Sequence, residues 1–122
     1  MLRRGTLYSR REITSRLGGN PMSYLPTKGG RVLYACLKPE LNPRAPEVVL
    51  VSSGERRVKN ARVLCRQGGT IPVFVKEADA EWEYLGDYEV ERCSEDLRVI
   101  DEHQVYPKRR NPRMVTFLKE SS

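Results

Sequence analysis

Few residues in this sequence could make or break covalent bonds. His103 is the single histidine, so a histidine pair for metal binding or acid–base work is excluded, and its charged neighbourhood reads as surface. No segment matches a G-x-S-x-G nucleophile elbow or a G-x-x-x-x-G-K-[ST] phosphate loop. Eleven acids lie between residues 76 and 104. Such a density could gather a divalent cation beside a lysine, as carboxylate nuclease sites do, and Lys76 with Glu77 is the nearest approach to that arrangement. Yet Glu81, Glu83, Glu89 and Glu91 recur at period two, the spacing of a solvated strand face. The expectation is therefore no catalytic residue, no metal ligand and no cofactor.

Aromatic residues beside cations point to a different chemistry. Tyr8 precedes Arg10 and Arg11, Tyr24 sits in a Gly/Pro/Ser loop ahead of Lys28 and Arg31, and Arg109 and Arg110 belong to the run Lys108-Arg109-Arg110-Asn111-Pro112-Arg113. A ring can stack on an unpaired base while arginines and lysines hold phosphates. These eight residues are the candidate nucleic-acid contacts. The competing reading of both tyrosines is packing, since Tyr24-Leu25-Pro26 can simply anchor its loop.

Charge supports a polyanion partner. The net charge is +6 and the pI is near 9.5, the footprint of a nucleic-acid binder. Its distribution is uneven: residues 1–35 carry +6, 36–75 carry +4, 76–104 carry −8 and 105–122 carry +4. The acidic stretch either complements the basic segments within the fold or keeps nucleic acid off one side.

These residues need a scaffold. A chain of 122 residues, 39% hydrophobic and 31% charged, can bury one core and reads as a single domain spanning 1–122. Its longest apolar runs, Val48 to Val51 and Ile71 to Val75, are strand-sized, so no membrane partner is expected. The polar, charged start Met1-Leu2-Arg3-Arg4-Gly5 lacks the apolar region of a secretory signal, which places the protein in the cytoplasm by default. Cys36, Cys65 and Cys93 are odd in number and widely spaced, without a C-x-x-C motif. They read as buried thiols.

Ser9-Arg10-Arg11-Glu12 is a capping box, and Gly18-Gly19 is a stop, which predicts a helix over residues 10–17. A second helix opens at Ser53-Gly54-Glu55 and ends at Gln67-Gly68-Gly69. It sets Val58, Ala61, Val63, Leu64 and Cys65 against a basic side of Arg56, Arg57, Lys59, Arg62 and Arg66. A third, short helix follows Ser94-Glu95-Asp96 and runs over Leu97 to Gln104. Strands are predicted at Arg31 to Leu37, Val48 to Val51, Ile71 to Lys76, Trp82 to Arg92 and Met114 to Leu118. Within the fourth, Trp82, Tyr84, Tyr88 and Val90 share one parity, opposite an acidic set, and Gly86 marks a bulge or a close backbone approach.

The stretches Ile71-Pro72-Val73-Phe74-Val75-Lys76 and Trp82-Glu83-Tyr84-Leu85-Gly86-Asp87-Tyr88-Glu89-Val90-Glu91 together resemble the hairpin of small PUA/SRA-like modules found with restriction endonucleases and helicases. The likeness covers about a fifth of the chain. It implies an α+β fold, with a curved mixed or antiparallel β-sheet or partly open barrel flanked by two or three short helices. In function it implies nucleic-acid binding, with a modified base flipped into a pocket between loops. The paired base-cage aromatic and Asp of a methylcytosine reader have no counterpart here. The chain is also similar to stand-alone bacterial proteins of its size.

The function expected from all this is a non-enzymatic nucleic-acid-binding module, with DNA ahead of RNA as partner. The alternatives are a protein-interaction or self-associating module, which would be a homo-oligomer, and a small metal-dependent nuclease.

Overall fold

A computed structural model describes residues 1–104 and 111–121. In chain order the elements are β1 (Leu7–Tyr8), α1 (Arg10–Leu17), β2 (Thr27–Lys28), β3 (Arg31–Val32), β4 (Ala35–Leu37), β5 (Val48–Ser52), α2 (Glu55–Gln67), β6 (Thr70–Ala78), β7 (Glu81–Ser94), α3 (Leu97–His103) and β8 (Pro112–Glu120). The fold is α+β. Its main sheet has the order β4-β6-β7-β8-β5, with β1 also paired to β7; β4 and β6 run parallel and the other pairs antiparallel. The sheet is mixed and does not close into a barrel. A separate hairpin of β2 and β3 turns at Gly29-Gly30.

The helix signals act where the sequence places them. Ser9 Oγ accepts from the Glu12 amide at 3.0 Å, Glu12 Oε1 accepts from the Ser9 amide at 3.1 Å, and α1 ends at Gly18 in the left-handed region. Asp96 caps α3 by accepting from the Arg98 amide at 2.9 Å. The run predicted as one strand over Arg31 to Leu37 is broken at Leu33-Tyr34 into β3 and β4. The break lets Tyr34 bury its ring completely and donate its hydroxyl to the Gly18 carbonyl at 2.9 Å.

Helices cover both sheet faces. Under α2 lies the larger core, where Val58, Ala61 and Leu64 meet Val49, Val51, Ile71, Val73, Tyr88, Met114 and Leu118. On the opposite face α1 places Ile13 against Tyr8, Tyr34, Phe74, Trp82 and Tyr84. Beside that cluster α3 covers Val48 and Val115 with Ile100.

Two β-bulges decide which side chains of β7 enter which core. Gly86 pairs with Val73 but Tyr84 pairs with Phe74, so Leu85 is an extra residue and the parity of β7 inverts there. Trp82 and Tyr84 therefore face α1, while Tyr88 faces α2. The expectation of one aromatic face and one acidic face is corrected: the strand has both on each side, because one inserted residue exchanges the faces. The second bulge falls between Val90 and Arg92, which pair with Leu118 and Phe117. It turns Cys93 back toward α2.

There Cys93 forms a disulfide with Cys65 of α2, at a Cα separation of 6.4 Å. This corrects the reading of three buried thiols. By parity alone Cys93 lies opposite Tyr88 and Val90, and only the bulge brings it to the helix. Cys36 does remain a free, buried thiol, its pKa pushed up to about 12 by desolvation, which outweighs the nearby Arg10 charge. A thiol-specific chromogenic reagent is accordingly expected to find no reactive thiol in the native oxidised protein. Denaturation alone should expose one thiol, and denaturation with reduction three; a fast-reacting thiol in the native protein would contradict this arrangement.

Candidate nucleic-acid interface

The structure divides the candidate contacts between the two faces of the sheet. Tyr8, Arg10 and Arg11 lie on the α1 side, whereas Tyr24, Lys28 and Arg31 lie along α2. Arg109 and Arg110 lie outside the described residues.

Neither tyrosine presents a free ring for a base. Tyr8 is buried beside Phe74 at a centroid distance of 6.2 Å, its hydroxyl accepts from the Arg3 amide at 3.0 Å, and Arg16 lies over its ring. Tyr24 is half-buried and donates its hydroxyl to the Arg57 carbonyl at 3.0 Å; burial pushes its pKa well above the usual tyrosine range, against the opposing Arg57 charge. Both act as packing residues, because each ring is needed to fasten a chain segment to the core. Trp82, Tyr84, Tyr34 and Tyr88 are buried as well.

Arg10 is also a structural residue. Its guanidinium stands 5.8 Å from the Tyr34 ring centre and 5.5 Å from that of Trp82, and its Nη2 donates to the carbonyls of Asn20 and Ser23 at 3.1 and 3.0 Å. It holds the loop after α1 against the aromatic core rather than facing solvent. Arg10→Ala is expected to lower stability by about 2 kcal/mol, through loss of two cation–π contacts and two charge-assisted hydrogen bonds. Urea denaturation measures this cost. A loss under about 0.5 kcal/mol would return Arg10 to the pool of free surface cations.

On the other side, the loop from Tyr24 to Val32 is laid along α2. Tyr24 meets Arg57, the Asn60 amide donates to the Leu25 carbonyl at 3.2 Å, and the Gln67 side chain both accepts from the Val32 amide at 2.7 Å and donates to the Val32 carbonyl at 3.0 Å. The last pair fastens β3 to the final turn of α2. It thereby fixes the hairpin that carries Arg31 and Lys28, which face each other across it and are both exposed, against the end of α2.

The outer surface of α2 is basic. With Val58, Ala61 and Leu64 turned to the core, the helical period leaves Arg56, Lys59 and Arg66 on the solvent side. None of these three, nor Lys28 or Arg31, forms an ion pair among the described residues. Arg62 differs, because Glu95 engages it at 2.5 and 3.2 Å and that bidentate contact holds the Glu95 carboxyl below the usual range. The amphipathic pattern of residues 55–67 contained the signal for Arg56, Lys59 and Arg66.

Among the described residues no group of three or more His, Cys, Asp and Glu side chains converges. Lys76 lies over the Trp82 ring at 5.9 Å, and Glu83 is held above the usual carboxylate range by its hydrogen bond with Glu77, then by desolvation and that neighbour's charge. His103 is half-buried rather than at the surface, with Nδ1 2.9 Å from the Val99 carbonyl and its ring edge-on to Phe117.

The fold and this surface define a class: an α+β domain with an open mixed sheet, helices on both faces and one basic helix. No described helix is long and apolar enough to cross a membrane. The chain belongs to the family described as a domain of unknown function, DUF6697, whose model matches residues 7–110. No curated protein and no solved structure matches the chain.

Proposed function

We propose that this protein is a non-enzymatic nucleic-acid-binding module of the cytoplasm, engaging DNA ahead of RNA through the phosphate backbone. The observation that carries this reading is the set of five exposed cations on α2 and the hairpin fastened to it, Arg56, Lys59 and Arg66 with Lys28 and Arg31, none of them neutralised by a carboxylate among the described residues. Unpaired arginines and lysines on one helical ridge release condensed counterions when they meet phosphates, and this gives affinity without sequence preference. The likeness to PUA/SRA-like hairpins supports the reading only as far as polyanion binding. Base flipping would need a free ring to receive the base, and the rings of Tyr8 and Tyr24 are committed to packing.

The test is a fluorescence-anisotropy titration of duplex DNA, single-stranded DNA and RNA at several salt concentrations. Five phosphate contacts on duplex DNA predict a slope of log affinity against log salt of about −4.5. Absence of binding to all three at about 50 mM salt would discard the proposal. A mass that rises with protein concentration in the same samples would instead favour self-association.

A further inference from the structure

We infer that the Cys65–Cys93 disulfide is a thiol–disulfide exchange site for a dithiol reductant, and that its redox state governs the order of the last turn of α2. Both cysteines are only half-buried, in contrast to Cys36. They line a cleft of about 310 Å3 between the end of α2 and β7, where Gly68 and Gly69 have no side chains to block an approach. Exchange needs access along the sulfur–sulfur bond and stabilisation of thiolate. The attacking thiolate comes from the reagent; of the cations next to the two cysteines in sequence, Arg92 lines the cleft but carries its guanidinium over the Phe117 ring at 4.3 Å. Of the two acids lining the cleft, Glu89 is engaged by Lys119 at 3.6 Å and Glu91 is exposed.

The step is balanced. One thiolate of the dithiol attacks a cysteine Sγ, the disulfide opens, and the other cysteine leaves as a thiolate that takes up a proton. The second thiol of the reagent then closes on the mixed disulfide. The protein gains two thiols and the reductant becomes a disulfide. The final turn of α2 carries Arg66 and, through Gln67, holds the hairpin of Lys28 and Arg31. Once the disulfide opens, that turn keeps the Gln67 contacts and Leu64 packing but loses its covalent tie to β7. A looser turn separates three of the five proposed phosphate contacts, and this consequence rests on the function proposed above.

The experiment treats the whole native protein with dithiothreitol and then iodoacetamide, and reads alkylation by mass spectrometry. Amide hydrogen exchange and duplex-DNA affinity are read in both redox states. Two alkyl groups on Cys65 and Cys93 are expected, with Cys36 protected, exchange over residues 62–68 faster by about tenfold and affinity weaker by about fivefold. The double variant Cys65→Ser/Cys93→Ser should behave as the reduced protein; if it does not fold, the dithiothreitol arm still decides. Alkylation only after denaturation, or unchanged amide exchange after reduction, overturns the inference. Equal DNA binding in both states overturns the link to the basic surface. Failure to bind DNA in either state counts against the proposed function alone, while alkylation and amide exchange still decide the exchange site.

Discussion

Replacing Phe74 with alanine is expected to destabilise the protein by about 4 kcal/mol, read as a fall in the denaturation midpoint at unchanged slope. Phe74 is fully buried on β6, the strand between β4 and β7. Its ring meets Tyr8 at 6.2 Å, Tyr34 at 6.0 Å and Tyr84 at 5.4 Å. The three come from β1, the segment ahead of β4, and β7, so one side chain joins elements far apart in sequence. Truncation leaves a cavity that these rings cannot collapse into, since each is tied elsewhere: Tyr8 to the Arg3 amide, Tyr34 to the Gly18 carbonyl and Tyr84 to Asp87 at 2.7 Å. Aromatic edge contacts are lost in addition to the transfer free energy. For a domain whose total stability is of order 5–15 kcal/mol, such a loss is a large share. Phe74→Leu retains most of the volume and should cost about 1.5 kcal/mol. A loss below about 1 kcal/mol for Phe74→Ala would show that the cluster is not the close-packed unit described here.

The combined variant Arg56→Gln/Lys59→Gln/Arg66→Gln should bind duplex DNA more weakly by on the order of a hundredfold at low salt, with the fold intact. All three side chains are exposed on α2 and touch neither core, so their replacement leaves Val58, Ala61 and Leu64 in place. Three of five phosphate contacts are removed, and the salt slope should fall from about −4.5 to about −2. Arg11→Gln provides the comparison, because Arg11 is equally exposed but lies on α1, across the sheet. Its replacement should leave the slope near its starting value. Should Arg11→Gln weaken binding as much as the triple variant, the surface on the α1 side is the interface and the assignment to α2 fails.

Much of the secondary structure could be read from local chemistry. The capping box at Ser9 and Glu12 and the stop at Gly18 locate α1, and the apolar spacing of Val58, Ala61 and Leu64 with Gly68 as terminator locates α2. Asp96 likewise opens α3 where expected. Short-range signals of this kind are set by backbone hydrogen bonds within a few residues, and they need no partner from elsewhere. The hairpin of β2 and β3 was not legible, because β2 is only two residues long, too short to display a period, and β3 lies inside the apolar run that continues to Leu37.

The abundance of exposed cations was legible in the sequence, but which of them stay unpaired was not. Clusters of arginine and lysine marked candidate phosphate contacts, yet Arg10 is spent on the loop carbonyls of Asn20 and Ser23 and on two aromatic rings. An arginine that clamps and one that waits for phosphate have the same sequence signature. What separates them is the set of neighbours brought in by the fold. Tyr24 poses the same problem, since a loop tyrosine is a stacking platform or an anchor according to whether its hydroxyl finds a carbonyl.

The sequence by itself determined the α+β composition, the helix limits and the strongly divided charge, because each depends on residue type and short spacing. Only the tertiary structure decided how β7 shares its side chains between two cores and which cations remain free. A strand's parity holds only while its pairing is unbroken, and the extra residues near Leu85 and Glu91 invert it twice. The first inversion sends Tyr88 to α2 and Tyr84 to α1; the second returns Cys93 to Cys65. A bulge is defined by two strands together, and its partner residues lie on β6 and β8.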